Sequence, residues 1–117
     1  MSVVDTASDD RLLRITPLDD VAGFRVDGEV DVSSRAELAA ALAATGQAGG
    51  DVVVDLSGVK FIDVEGLQML VRVARGLTEG RVLVLRRPPP LVWRLLQLMN
   101  WDLTPGLRVV SEPNGAG

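Results

Sequence analysis

The chain has 117 residues, 47% of them apolar and 24% charged, with a net charge of −4. That is the profile of one soluble globular domain with a core of its own, and its acidic balance opposes binding to nucleic acid or to an anionic membrane surface. Cysteine and histidine are both absent, which removes disulfides, thiolate chemistry, the commonest general base and the commonest metal ligand.

Residues 1–10 (MSVVDTASDD) are polar and acidic and are expected to be a flexible terminus. They lack the basic-then-apolar layout of a signal peptide, and no apolar run approaches the length of a membrane span, so the expected location is the cytoplasm. The domain is expected over residues 11–110. Residues 11–16 (RLLRIT) read as a first strand. Residues 23–30 (GFRVDGEV) alternate apolar and polar, the period of a half-buried strand. With Asp19 and Asp20 as the turn, the two form a hairpin.

Ser34 followed by Glu37 is a capping-box pattern, in which each side chain satisfies a free N–H of the first helical turn. The helix it opens runs through Leu38 and Leu42 to Gly46. Residues 51–56 (DVVVDL) are β-branched and almost continuously apolar, as in a central parallel strand. A second helix starts at Asp63, a favourable N-cap type. Leu67, Leu70, Val71, Ala74 and Thr78 give it one inward stripe, and Gly80 ends it. Residues 81–85 form another buried strand. Pro88, Pro89 and Pro90 stop it and open a third helix, with Val92, Leu95, Leu96 and Met99 as its stripe. Asn100 suits a left-handed C-cap. Residues 107–110 make a last short strand, and residues 111–117 a flexible tail. The order β-β-α-β-α-β-α-β predicts an α/β fold with right-handed crossovers.

Catalysis has little to work with. Without His or Cys, a nucleophile would need Lys60, the single lysine, or a pair of acids. Ser57-Gly58 reads as turn chemistry. Gly58 and Gly66 lack phosphate-loop spacing. Asp31, Asp55, Asp63 and Glu65 are solvated turn acids in this reading, without the regular spacing of a Ca²⁺ or Mg²⁺ loop. No enzyme activity, metal or cofactor is expected. Surfaces remain. At 100° per residue, Met69 and Val73 point away from the stripe of the second helix, with Glu65 one turn before Met69. An apolar pair beside an acid at a helix start is a candidate docking patch. The plainer alternative is two scattered surface apolar residues, which need no explanation.

Residues 51–67 (DVVVDLSGVKFIDVEGL) resemble the signature of STAS domains, the anti-sigma-factor antagonists. Residues 28–34 (GEVDVSS) match the segment that leads into that family's first helix. The likeness covers about residues 11–110. It implies a small module with helices packed on a mixed sheet. It also implies a partner: an anti-sigma factor that is a serine kinase of the ATPase-fold class, or a related regulator. In the family, phosphorylation of a serine at the start of the second helix breaks that complex, within Asp-Ser-Ser-Gly or Asp-x-Ser-Gly. Here Asp63 and Gly66 match, Val64 fills the second position, and Glu65 stands where the acceptor serine would be. By the resemblance, Glu65 is either a partial mimic of phosphoserine, which carries about −1.5 to −2 charges, or simply a favourable first-turn acid. Gly66 allows close backbone approach and Asp63 is the cap. Asp31 lies near the switch position, where paired carboxylates would repel and raise one pKa. Trp93 falls off the core stripe of the third helix, where the family often has a charge, and is either an interface residue or local cover for Pro88 to Pro90. The expected partner-binding set is Asp31, Asp63, Val64, Glu65, Gly66, Met69, Val73 and Trp93. A homodimer is expected through any sheet face that the helices leave bare. The alternative from the same family is a STAS subunit or sensor of a lipid or anion transport or nucleotide-sensing system.

Overall fold

The computed structural model describes residues 12–78 and 80–111. Its elements are β1 (Arg14–Pro17), β2 (Gly23–Val30), α1 (Arg35–Gly46), β3 (Val52–Ile62), α2 (Val64–Gly76), β4 (Leu83–Arg86), α3 (Pro90–Leu98), a 3₁₀ turn (Trp101–Leu103) and β5 (Leu107–Val110). The strands form one sheet in the order β1-β2-β3-β4-β5. β1 and β2 are the antiparallel hairpin, and every later neighbour is parallel. This is the mixed sheet and element order expected from the sequence. The flexible terminus assigned to residues 1–10, the start of the first strand at Arg11 and, apart from Ser111, the flexible tail assigned to residues 111–117 lie outside the described residues.

Each parallel connection advances one strand in the same direction. Right-handed crossovers then place α1, α2 and α3 on one face. The core agrees. Phe24, Val26 and Val30 from β2, Val54 and Leu56 from β3, and Leu83 and Leu85 from β4 are buried beneath Leu38, Leu42, Leu67, Leu70, Val71, Val92 and Leu96 from the helices. The other face carries the alternate positions. Arg25, Asp55 and Arg86 stand side by side across it, and Val53, Val84 and Arg108 form the next row.

Four local expectations change. β3 does not stop at Leu56 but runs on to Ile62. Between the Arg25–Asp55 and Asp27–Gly58 pairs, β3 has Leu56 and Ser57 against Val26 alone, so Ser57 is the extra residue of a bulge and not a turn. A Cβ at Gly58 would sit 1.9 Å from the Asp27 carboxylate, so any other residue there would have to displace that side chain from its pairing with Arg25. The capping box does not form: Ser34 makes no cap bond to the helix. Its hydroxyl donates to the Glu29 carbonyl at 2.9 Å and accepts the Asp31 N–H at 3.1 Å. α2 ends at Gly76, leaving Thr78 exposed beyond it. Met99 is exposed, and only Val92 and Leu96 of the α3 stripe are fully buried. Asn100 does adopt the left-handed conformation, with φ 57°.

The bare face carries a charged row beside its Val53–Val84 row. The Asp55 carboxylate is 1% exposed. It accepts the Ser57 N–H at 2.9 Å and a short hydrogen bond from Arg87 Nη2, with Arg86 Nε at 3.4 Å. Arg87 reaches it from a left-handed backbone conformation (φ 53°), its own N–H donating to Val110 at 2.7 Å. Burial opposes ionisation of Asp55. The Arg87 and Ser57 hydrogen bonds outweigh burial and hold the carboxyl at about 2.

Candidate partner surface at the ends of the parallel strands

In open parallel sheets, binding sites gather at the carboxyl ends of the strands. Here that edge holds the starts of α1, α2 and α3. Where β2 ends, Asp31 builds the turn into α1. Its carbonyl accepts the Ser34 and Arg35 N–H groups at 3.0 and 2.9 Å. Its carboxylate accepts the Ser33 hydroxyl at 2.7 Å and the Ser33 N–H at 3.0 Å. These Ser33 bonds hold the Asp31 carboxyl below its usual value. The rise expected from a neighbouring acid does not appear at Asp31, whose carboxylate is held by Ser33 instead.

Arg35, the first residue of α1, pairs with the two acids of the α2 turn. Its Nη1 lies 2.5 Å from Glu65 Oε1 and its Nε 3.7 Å from Asp63 Oδ2. Asp63 caps α2 as expected, its Oδ1 accepting the Gly66 N–H at 2.7 Å. β2 and β3 come together at this point, the Asp63 N–H donating to the Val30 carbonyl at 3.0 Å. Gly66 is buried and closely approached, since a Cβ would lie 2.9 Å from Val30 Cγ1 and 3.0 Å from Asp63 Oδ1. Asp63→Ala is expected to lower stability by about 1 kcal/mol through loss of this cap, read from urea unfolding.

Asp31, Asp63, Val64, Glu65 and Gly66 are thus brought together around Arg35. Glu65 and Val64 are exposed. Met69 and Val73 are not the open pair expected from helix phase: both are half-buried against the core. Trp93 is likewise half-buried against the core. Exposed apolar surface lies instead at Phe61, Val64 and Leu91. These residues line a groove of about 290 Å³ between the end of β3 and α3, with Lys60, Asp63 and Leu95 also on its walls. Arg35, Phe61 and Leu91 were missed from the sequence. Arg35 follows Ser34 at a helix start, but its partner lies 30 residues away. Among the described residues no three acids come close enough to hold a metal ion, and no helix is long and apolar enough to cross a membrane.

A sequence model of a domain family, described as "Mlab, STAS domain", matches residues 15–109. Among solved structures, an anti-sigma factor antagonist from Mycobacterium paratuberculosis is 28% identical, with a TM-score of 0.65 over 83% of this chain and 84% of that one. An anti-sigma-factor antagonist (STAS) domain protein from Planctomyces limnophilus is 21% identical, with a TM-score of 0.59 over 87% and 92%. The unphosphorylated form of the anti-sigma factor antagonist SpoIIAA is 13% identical, with a TM-score of 0.59 over 88% and 91%. The last two show likeness of fold. No curated protein matches.

Proposed function

The chain belongs to the STAS domain family, and from that premise we propose that it is a non-enzymatic interaction module of bacterial regulation, of the anti-sigma-factor antagonist type, that docks through the start of α2 and has no serine switch there. Its proposed partner is an anti-sigma factor of the ATPase-fold serine-kinase class or a related regulator, met in the cytoplasm. Glu65 carries this reading. It occupies the turn between Asp63 and Gly66, exposed, as a fixed anion whose counter-ion is the chain's own Arg35 at 2.5 Å. Helix N-termini favour negative charge, and no residue from Asp63 to Gly66 offers a hydroxyl to a kinase. The likeness to the mycobacterial antagonist, spread over most of both chains, supports the antagonist class.

The test is phosphotransfer and binding with a panel of ATPase-fold anti-sigma kinases and ATP. Wild-type protein is expected to bind one of them and to gain no phosphate at residues 63–66. Glu65→Ser is expected to become phosphorylated there. If Glu65 stands in for phosphoserine, the unphosphorylated variant binds at least about fivefold tighter, the scale of one charge at a helix start. Weaker binding by Glu65→Ser makes Glu65 a direct contact and removes the mimic. No binding to any kinase of the panel removes the antagonist reading. The description of the matching family model, which is not that of an antagonist, favours a second reading. In it the same surface docks on the ATPase of a transport system, as a STAS subunit.

A further inference from the structure

α3 has two apolar sides. Val92 and Leu96 face the sheet and are buried. Leu91, Leu95 and Leu98 fall within about 60° of one another on a second stripe, about 120° round the helix from the first. Leu91 is 67% exposed and Leu98 is 72% exposed. A helix that is apolar beyond its core stripe is ordinarily covered. With Phe61 and Val64 across the groove, this flank leaves on the order of 500 Å² of apolar surface bare, at the upper end for a monomer and more than half of what a standard interface takes from each partner.

The occupant is identified by shape and charge. Leu91 and Leu95 line the groove, and the exposed Leu98 continues their stripe along α3 as a ridge beyond it. Ridge and groove on one molecule make a self-complementary surface, as a twofold interface requires. Identical copies also bring like charges together, so a shared face must carry little net charge. The bare sheet face meets this condition poorly, because Arg14, Arg25, Arg86 and Arg108, set among Asp20, Asp27, Glu29 and Asp55, would all have to lose water or meet their own copies. The α3 flank meets it, since Arg94 is the one charged residue of the helix. We propose that this flank is a homodimer interface, with two α3 helices packed antiparallel about a twofold axis and Leu91 and Leu98 of each copy entering the other's groove. The dimer expected at the bare sheet is thereby moved to the helical face.

Sedimentation of the full chain from about 1 to about 200 μM tests it. The wild type is expected to pass from monomer to dimer within that range. Leu98→Asp and Leu91→Asp, both at exposed positions, are expected to keep the wild-type circular dichroism spectrum and to weaken dimerisation at least tenfold. Arg108→Glu, on the bare sheet, is expected to dimerise as the wild type does. If one aspartate variant misfolds, the other decides. A wild type that stays monomeric throughout overturns the proposal. So does a dimer that the folded aspartate variants leave intact, or one that Arg108→Glu alone disrupts.

Discussion

Leu96→Ala is expected to lower stability by about 3 kcal/mol, and Leu98→Ala, two residues further along the same helix, by less than about 0.5 kcal/mol. The side chains are chemically identical, so the contrast isolates position. Leu96 is 0% exposed and fills the space between α3 and the sheet, so truncation loses transfer free energy and leaves a cavity. Leu98 is 72% exposed and has little burial to lose within one copy. Urea unfolding at a concentration below dimer formation reads both, and a common m-value shows that the two variants differ in stability and not in denatured-state compactness. In thermal melts the Leu96 variant should fall by about 10 °C. Equal losses at the two positions would mean that α3 is rotated from the phase described.

Asp55→Asn is expected to cost on the order of 2 kcal/mol at neutral pH. The carboxylate is buried under Arg86 and Arg87, whose guanidinium groups reach it at 3.4 Å and in a short hydrogen bond. Removing its charge leaves two cations crowded without a counter-ion. Both arginines are partly open to solvent, which keeps the loss below that of a fully buried pair. The pH dependence gives a second signature. The folded carboxyl titrates at about 2, below the unfolded value of about 3.9. Its contribution is therefore fully present above pH 4 and is lost as pH falls towards 2. The wild type and Asp55→Asn should accordingly converge in stability across that window. A difference that stays constant from pH 7 to pH 2 would show that the ionised carboxylate is not what supports this face.

The residues themselves made most of the fold legible. The alternation in GFRVDGEV, the continuous DVVVDL and the leucine spacing after Asp63 each state a local preference that the sheet and core satisfy. The Asp63 cap also needed no distant information, because donor and acceptor lie three residues apart. Failures came where a group had more than one partner to choose from. Ser34 faces its own helix, but its hydroxyl goes to Glu29 and Asp31, so the capping box yields to the turn at the end of β2. Ser57-Gly58 has turn composition, yet the sheet absorbs Ser57 as a bulge and continues to Ile62. Met69 and Val73 lie away from the stripe by helix phase, but neighbouring elements half-cover them.

The candidate site divides along the same line. Sequence alone determined that the turn 63–66 holds two acids and no hydroxyl, because residue identity requires no folding. It also determined which short stretches become strands and helices, since periodicity and caps act over a few residues. Only the tertiary structure decided what the acids touch. Glu65 and Arg35 are 30 residues apart, and Asp55 and Arg87 are 32 apart. Adjacent parallel strands set those neighbours side by side. A carboxylate's local sequence fixes its charge, while its partner and its exposure depend on which other helix start or strand end the sheet order brings within about 4 Å.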